Sequence, residues 1–219
     1  MSAKFIRLAI LVLFLAIGGI IFLVMGIRQK IEFNQPRADI ETVTANELKE
    51  GMFVEGEIYE LWNEFAYTEQ YESTLGIKHN ERTTDRFFTL PMEYSFYMDN
   101  LKFIAICSRD KSELSKMEKM EKEALEYYNN DKELVTTMHF VGKVQKLDKE
   151  YLEFFKENVA LLMGVGINET DQYIAPYVIR SWPEDNSSAG IIIGAVMAAL
   201  GLGGTAFFII KFVKSRNGY

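Results

Sequence analysis

The sequence predicts an α+β protein: a small β-rich domain, OB-like and closing as a partly open barrel with two amphipathic helices, held between two transmembrane helices. Three observations predict it. Leu8 to Ile27 is a run of twenty residues without one charged side chain, bracketed by Arg7 and Arg28. Ala189 to Ile210 repeats the pattern near the other end and is closed by Lys211. At about 1.5 Å per residue the first run spans roughly 30 Å as a helix, the thickness of a bilayer's hydrocarbon core. Between the runs the apolar period switches between two and 3.6 residues, as strands mixed with helices require.

These signals divide the chain into an N-terminal stretch 1–7, a first span 8–27, a linker 28–44, a β-rich domain 45–182, a second span 189–210 and a basic tail 211–219. All 31 acidic residues lie between the spans with 19 of the 24 Lys and Arg, so that region carries a net charge of −12. Such a domain repels nucleic acid and anionic headgroups, which argues against DNA or RNA as a partner. The single cysteine, Cys107, excludes an internal disulfide framework and a Cys-rich metal site, and favours a bacterial surface or a cytosolic setting.

The first run exceeds the usual apolar core of a signal peptide, and its exit, Val24-Met25-Gly26-Ile27-Arg28, has no small-x-small cleavage site. It reads as an uncleaved anchor. Lys211, Lys214 and Arg216 outweigh Arg180 across the second span, so the positive-inside rule places both termini in the cytoplasm and the domain outside. Arg28 and Lys30 pull the other way.

Taken in order, Thr44 and Glu47 have the spacing of a capping box, with Gly51 ending a single helical turn. From Met52 to Leu61 the residues alternate as in a strand, and Gly56 within it predicts a bulge or a tight bend. A turn near Asn63-Glu64 leads into a second aromatic strand. Ser73 to Thr84 is polar and reads as a long loop or hairpin tip, followed by a strand at Arg86–Leu90 that Pro91 stops. Leu101 to Cys107 is continuously apolar and predicts a buried central strand. Asp110 to Tyr128 is a helix with Leu114, Met117, Leu125 and Tyr128 on one face and Glu118–Lys122, Lys119–Glu123 and Lys122–Glu126 pairs elsewhere. Leu134 to Leu147 is β. Asp148 to Met163 is a second amphipathic helix, buried through Tyr151, Leu152, Phe155, Val159 and Leu162 and ended by Gly164 and Gly166. Tyr173 to Trp182 is a last strand that Pro176 confines to an edge.

Two spans around a small β-rich domain resemble the "beside-the-membrane" architecture of bacterial proteins and mitochondrial ubiquitin ligases. The residues carrying the resemblance are Leu48-x-x-Gly51-x-x-Val54-x-Gly56, Phe87-Phe88-Thr89-Leu90-Pro91 and Phe140-Val141-Gly142-Lys143-Val144. It implies the two-span topology and an uncharacterised Gram-positive family, with no mechanism. The nine residues after the second run contain neither Cys nor His, so a RING and its ligase activity do not carry over.

No residue pattern defines a catalytic site. His79, Glu81, Asp85 and His139 contain the atoms for a mixed metal site, but no H-x-x-x-H spacing puts two ligands on one helical face, so no metal or cofactor is expected. Cys107 ends a buried strand and reads as a small core hydrophobe; as a nucleophile it would need a base such as His139. Ser108, Ser112 and Ser115 stand in no G-x-S-x-G context. Asn168-Glu169-Thr170 and Asn186-Ser187-Ser188 fit the glycosylation pattern, which matters only in a eukaryotic secretory pathway. Ten methionines and the aromatics fill a small core or line a binding groove. In the second span Gly190, Gly194 and Ala198 are spaced one turn apart, a small-residue face for transmembrane helix packing. The first span, bulkier around Gly18-Gly19, would supply the ridge.

The expected function is a double-anchored membrane protein presenting an acidic, non-enzymatic interaction or accessory domain. Its partners are the lipid bilayer and another membrane or envelope protein, or a second copy through the second span. The alternative is a membrane-tethered enzyme, hydrolytic in class, with an unidentified site; a channel is disfavoured because neither span carries a charge.

Overall fold

The computed structural model of the chain describes residues 3–74, 77–92, 101–130, 132–182 and 187–216, with the side chains of 3–5, 70–83, 215 and 216 outside the description. In chain order the elements are α1 (Ala3–Phe33), β1 (Arg37–Asp39), β2 (Phe53–Ile58), β3 (Trp62–Thr74), β4 (Ile77–Met92), β5 (Lys102–Ser108), α2 (Lys111–Asn130), β6 (Met138–Lys146), α3 (Lys149–Met163), a 3-10 turn (Ile167–Gln172), β7 (Ile174–Ser181) and α4 (Ser187–Arg216). They form two units: residues 1–35 with 183–219, and residues 36–182.

The second unit is α+β. Its seven strands make one open mixed sheet in the order β1-β2-β6-β7-β5-β4-β3. β1 runs parallel to β2 and β7 parallel to β5, and the remaining neighbours are antiparallel. The expected partly open barrel is thus replaced by a sheet with β1 and β3 at its edges. Apolar residues alternate between its two faces. Ile104, Ile106, Phe88, Val144 and Ile179 point to one core, which Met117 and Met120 of α2 complete. Phe103, Ala105, Cys107, Phe87 and Val178 point to the other, closed by Phe155 and Val159 of α3. The continuous apolar run of β5 has this cause: both its faces are covered, and each large side chain so buried contributes roughly 1.5–3 kcal/mol.

Several elements differ from the sequence reading, each for a local reason. Pro176 lies in β7, between β5 and β6 and not at an edge. Pairing to β5 advances from Phe103↔Ile174 directly to Ala105↔Val178, so the residue without an N–H falls in that irregularity, while its carbonyl still accepts Leu147 N at 3.2 Å. Gly56 makes no bulge, because the β2–β6 ladder is continuous through Gly56↔Phe140. A Cβ there would stand 2.6 Å from Ile40 Cγ2, so the glycine admits the chain leaving β1. That chain belonged to the expected linker, 28–44. In the structure α1 extends to Phe33, β1 joins the sheet, and Ile40 and Val43 are buried. β4 continues through Pro91, which pairs with Phe103, and the stretch read as a hairpin tip is largely ladder, down to Thr74↔Ile77. On α2 the buried stripe is Met117, Met120 and Ala124, whereas Leu125 and Tyr128 are exposed. The stripe is rotated because flexible methionines fill the irregular core that the leucine was expected to fill.

In the first unit α1 and α4 each hold a stretch of 28 residues, Ile6–Phe33 and Ser187–Lys214, long and apolar enough to cross a membrane. Their side chains are exposed around most of the circumference, Phe14 by 69% and Leu200 by 65%.

Candidate functional site

The sequence singled out Gly190, Gly194 and Ala198, and all three lie on the face of α4 turned to α1. A Cβ on Gly194 would come within 2.4 Å of Leu23 N and 3.0 Å of Gly19 O, and one on Gly190 within 3.7 Å of Gly26 Cα. Ala198 is buried, its amide 2.3 Å from where a Cβ on Gly19 would sit. The seam continues through Gly201 against Ala16 and Gly204 against Val12. Partners on α1 descend as those on α4 ascend, so the helices are antiparallel. α1 also supplies small residues, Ala16, Gly19 and Gly26, and is not simply the ridge. Thr205 satisfies its hydroxyl inside the helix, on Gly201 O at 2.8 Å.

The other sequence candidates do not converge. The side chains of His79 and Glu81 lie outside the description, as does Asn186. His139 is exposed on β6 between two carboxylates of β2, Nε2 3.2 Å from Glu55 and Nδ1 3.3 Å from Glu57. Glu55 also pairs with Arg37 at 2.7 Å, and that hydrogen bond holds its carboxyl below the usual range. Asp85 is far along the sheet, on β4, and among the described residues no group of three acidic, His or Cys side chains is placed to hold a metal ion. Cys107 is fully buried, and burial pushes its thiol up to about 12. Ser108 is buried and fully employed: its hydroxyl donates to Glu113 at 2.6 Å and accepts Asp110 N at 3.0 Å. Asp110 then caps α2, taking Ser112 N and Glu113 N at 2.9 and 3.0 Å.

Sequence reasoning missed two features. The first is a cavity of about 330 Å³ on the α3 face of the sheet, lined by Phe87, Lys143, Lys146, Tyr151, Val178 and Arg180 among others. Arg180 is held from three sides, by Gln145 at 3.2 Å, by Asp85 at 3.1 Å and by the ring of Phe87 at 5.7 Å. Asp85 also takes Arg109 at 3.1 Å. These residues come from β4, the β5 exit, β6, β7 and α3, so no local pattern announces them. The one signal was a charged residue closing the apolar run Val178-Ile179 of a strand. The second feature is an open hollow of about 720 Å³ beside edge strand β3, lined by Phe65, Tyr67 and Phe154 with Glu64 and Arg86. Arg86 binds both Glu64, through Nε at 2.8 Å, and Glu118 of α2. Both carboxylates hold its guanidinium firmly charged, the Glu64 hydrogen bond most.

Fold and seam together define the class: an α+β domain inserted between two long, apolar, closely packed helices. The chain belongs to the family described as Domain of unknown function (DUF8577), whose match covers residues 2–214, both helices included. No curated protein matches it.

Proposed function

We propose that this protein is anchored in a cell membrane by α1 and α4, with both termini cytoplasmic. The acidic α+β domain stands outside as an interaction or accessory module for another membrane or envelope protein. The two helices support the anchor, since side chains apolar on every side and largely uncovered suit lipid as their solvent. One observation carries the interaction reading: the hollow of Phe65, Tyr67 and Phe154 lies along the edge strand β3, where a partner meets apolar side chains beside an open ladder. The edge is not bare, because Glu121 of α2 accepts Glu64 N at 2.8 Å and the β3–β4 register slips repeatedly. Such blunting disfavours indiscriminate strand pairing and leaves recognition to the side chains.

The test is photo-crosslinking in native membranes from a reactive residue at Tyr67, with Lys119 on the exposed side of α2 as the control position. A discrete adduct with one envelope protein, from position 67 only, is the expected result. Equal adducts from both positions, or none, would overturn the reading. A membrane-tethered enzyme is the second reading, and the polar groups around the Arg180 cavity favour it.

A further inference from the structure

We propose that the cavity at Arg180 binds a small organic monocarboxylate, its carboxylate meeting Arg180 and the Tyr151 hydroxyl. The site stands apart from β3 and does not rest on the partner reading. Its volume, about 330 Å³, is that of a small-molecule pocket. Arg180 is preorganised, with Nε committed to Gln145, Nη1 to Asp85 and its plane near Phe87. Nη2 has no partner among the described residues and remains as a donor. Tyr151 is stacked on Phe87 with ring centroids 4.6 Å apart, which fixes its ring, and its hydroxyl likewise has no hydrogen-bond partner among the described residues. Burial raises the pKa of that phenol, so it stays a donor. Two fixed donors of different kinds therefore line the cavity, and Phe87 and Val178 add apolar lining.

Donors and lining together select the ligand class. In a region of net charge −12 the donors offered to this cavity are those of a cation, Arg180, and a neutral phenol, Tyr151, beside the apolar side chains of Phe87 and Val178. Asp85, just beyond the lining, is shared between Arg109 and Arg180. A single charged Nη2 donor and a phenol beside apolar side chains suit the carboxylate of an organic acid better than an inorganic anion, which has no apolar part to bury. Lys143 takes a lesser part, since its ammonium rests over the rings of Phe53 and Trp182, 5.0 Å from each centroid.

The experiment is equilibrium dialysis of radiolabelled benzoate against the full chain in lipid nanodiscs, with benzamide and inorganic phosphate as competitors. Saturable binding that neither competitor displaces at equal concentration is expected. Tyr151→Phe keeps the stack and removes only the hydroxyl, and should weaken binding at least about tenfold, as loss of a hydrogen bond to a charged group does. Arg180→Gln should abolish it. Absence of saturable binding overturns the proposal, as does displacement by benzamide, displacement by phosphate, or an unchanged affinity in Tyr151→Phe; this last variant serves should Arg180→Gln fail to fold.

Discussion

A Cβ placed on Gly142 would stand 2.4 Å from Cγ2 of Ile179, which lies diagonally across the β6–β7 ladder and pairs with Val144. Phe140 Cε1 would lie at 2.8 Å and the Arg180 carbonyl at 3.1 Å. The glycine is therefore part of the core's shape: its missing methyl is the space that Ile179 and Phe140 occupy, with both neighbours fully buried. Gly142→Ala should destabilise the domain by about 1–3 kcal/mol, the usual penalty for overfilling a packed interior. Denaturant unfolding of the full chain checks this, and Ile179→Leu in the same chain should restore part of the loss, because leucine has no Cγ2 methyl on its Cβ and keeps the side-chain volume. An alanine variant as stable as the parent would show that the ladder yields more easily than its packing implies.

The acid limb of stability should depend on Glu123. This α2 carboxylate accepts Thr136 N and Thr136 Oγ1, each at 2.7 Å, and Val135 N at 3.1 Å, tying the segment before β6 to the helix. The Thr136 side-chain hydrogen bond is the main cause of a pKa below the ordinary 4.5. Since the folded value is the lower one, the charged form stabilises the fold above the ordinary pKa, and the contribution disappears as pH falls through the depressed folded value. Glu123→Gln should thus be less stable than the parent near neutral pH, and the gap should close in acid below 4.5. A gap independent of pH would assign the effect to packing.

What was legible in the sequence is what neighbouring residues decide. The end of α3 at Gly164, with φ 64°, the doubly buried run of β5 and the two apolar helices all follow from spacing and from single residues with restricted backbone preferences. Sheet order was not legible, because β7 inserts between β5 and β6 through pairings far apart in sequence. Pro176 misled for the same reason: proline marks a place where the ladder lacks a donor, and an irregularity supplies that inside a sheet as well as at its edge. The Gly190, Gly194, Ala198 face was readable because it lies on one helix, while its complement on α1 was masked by the bulky residues around Gly19. The Arg180 cavity draws on five segments, so only folding assembles it.

Membrane orientation can be read with the native cysteine left in place. With its thiol at about 12, Cys107 is a thiolate in only one molecule in on the order of ten thousand near pH 8, and it is wholly buried. The parent chain should therefore stay unlabelled by maleimides while folded. Ser73→Cys puts a thiol near the far end of the β3–β4 hairpin. A membrane-impermeant maleimide should label this variant in intact cells, as an external domain requires. Labelling only after lysis would reverse the orientation and leave two-span anchoring untouched.

The α1–α4 seam offers the sharpest test, because the same substitution can be made on two faces of one helix. In lipid no hydrophobic effect draws helices together, and close backbone packing has to hold them. At Gly194 there is no room: an isoleucine Cβ would meet Leu23 N at 2.4 Å and Leu23 Cα at 2.8 Å, and neither backbone atom can turn aside as a side chain does. The helices must separate, and a gap of about 0.5–1 Å already forfeits a quarter to a half of the dispersion attraction at each contact along the seam. At Gly203 nothing lies within 4 Å, so an isoleucine there adds the same apolar bulk without touching α1. Both variants remain apolar and should insert normally. A cysteine pair replacing Val12 and Gly204, where a Cβ on the glycine would lie 2.7 Å from Val12 Cγ1, reports the seam ten residues along the helix from Gly194 and directly beside Gly203, which makes the control the stricter of the two. Disulfide formation should be efficient in the parent and in Gly203→Ile, and much reduced in Gly194→Ile. Equal cross-linking in all three would show that the glycine face does not hold the spans together, and equal loss in both variants would make the effect one of bulk alone.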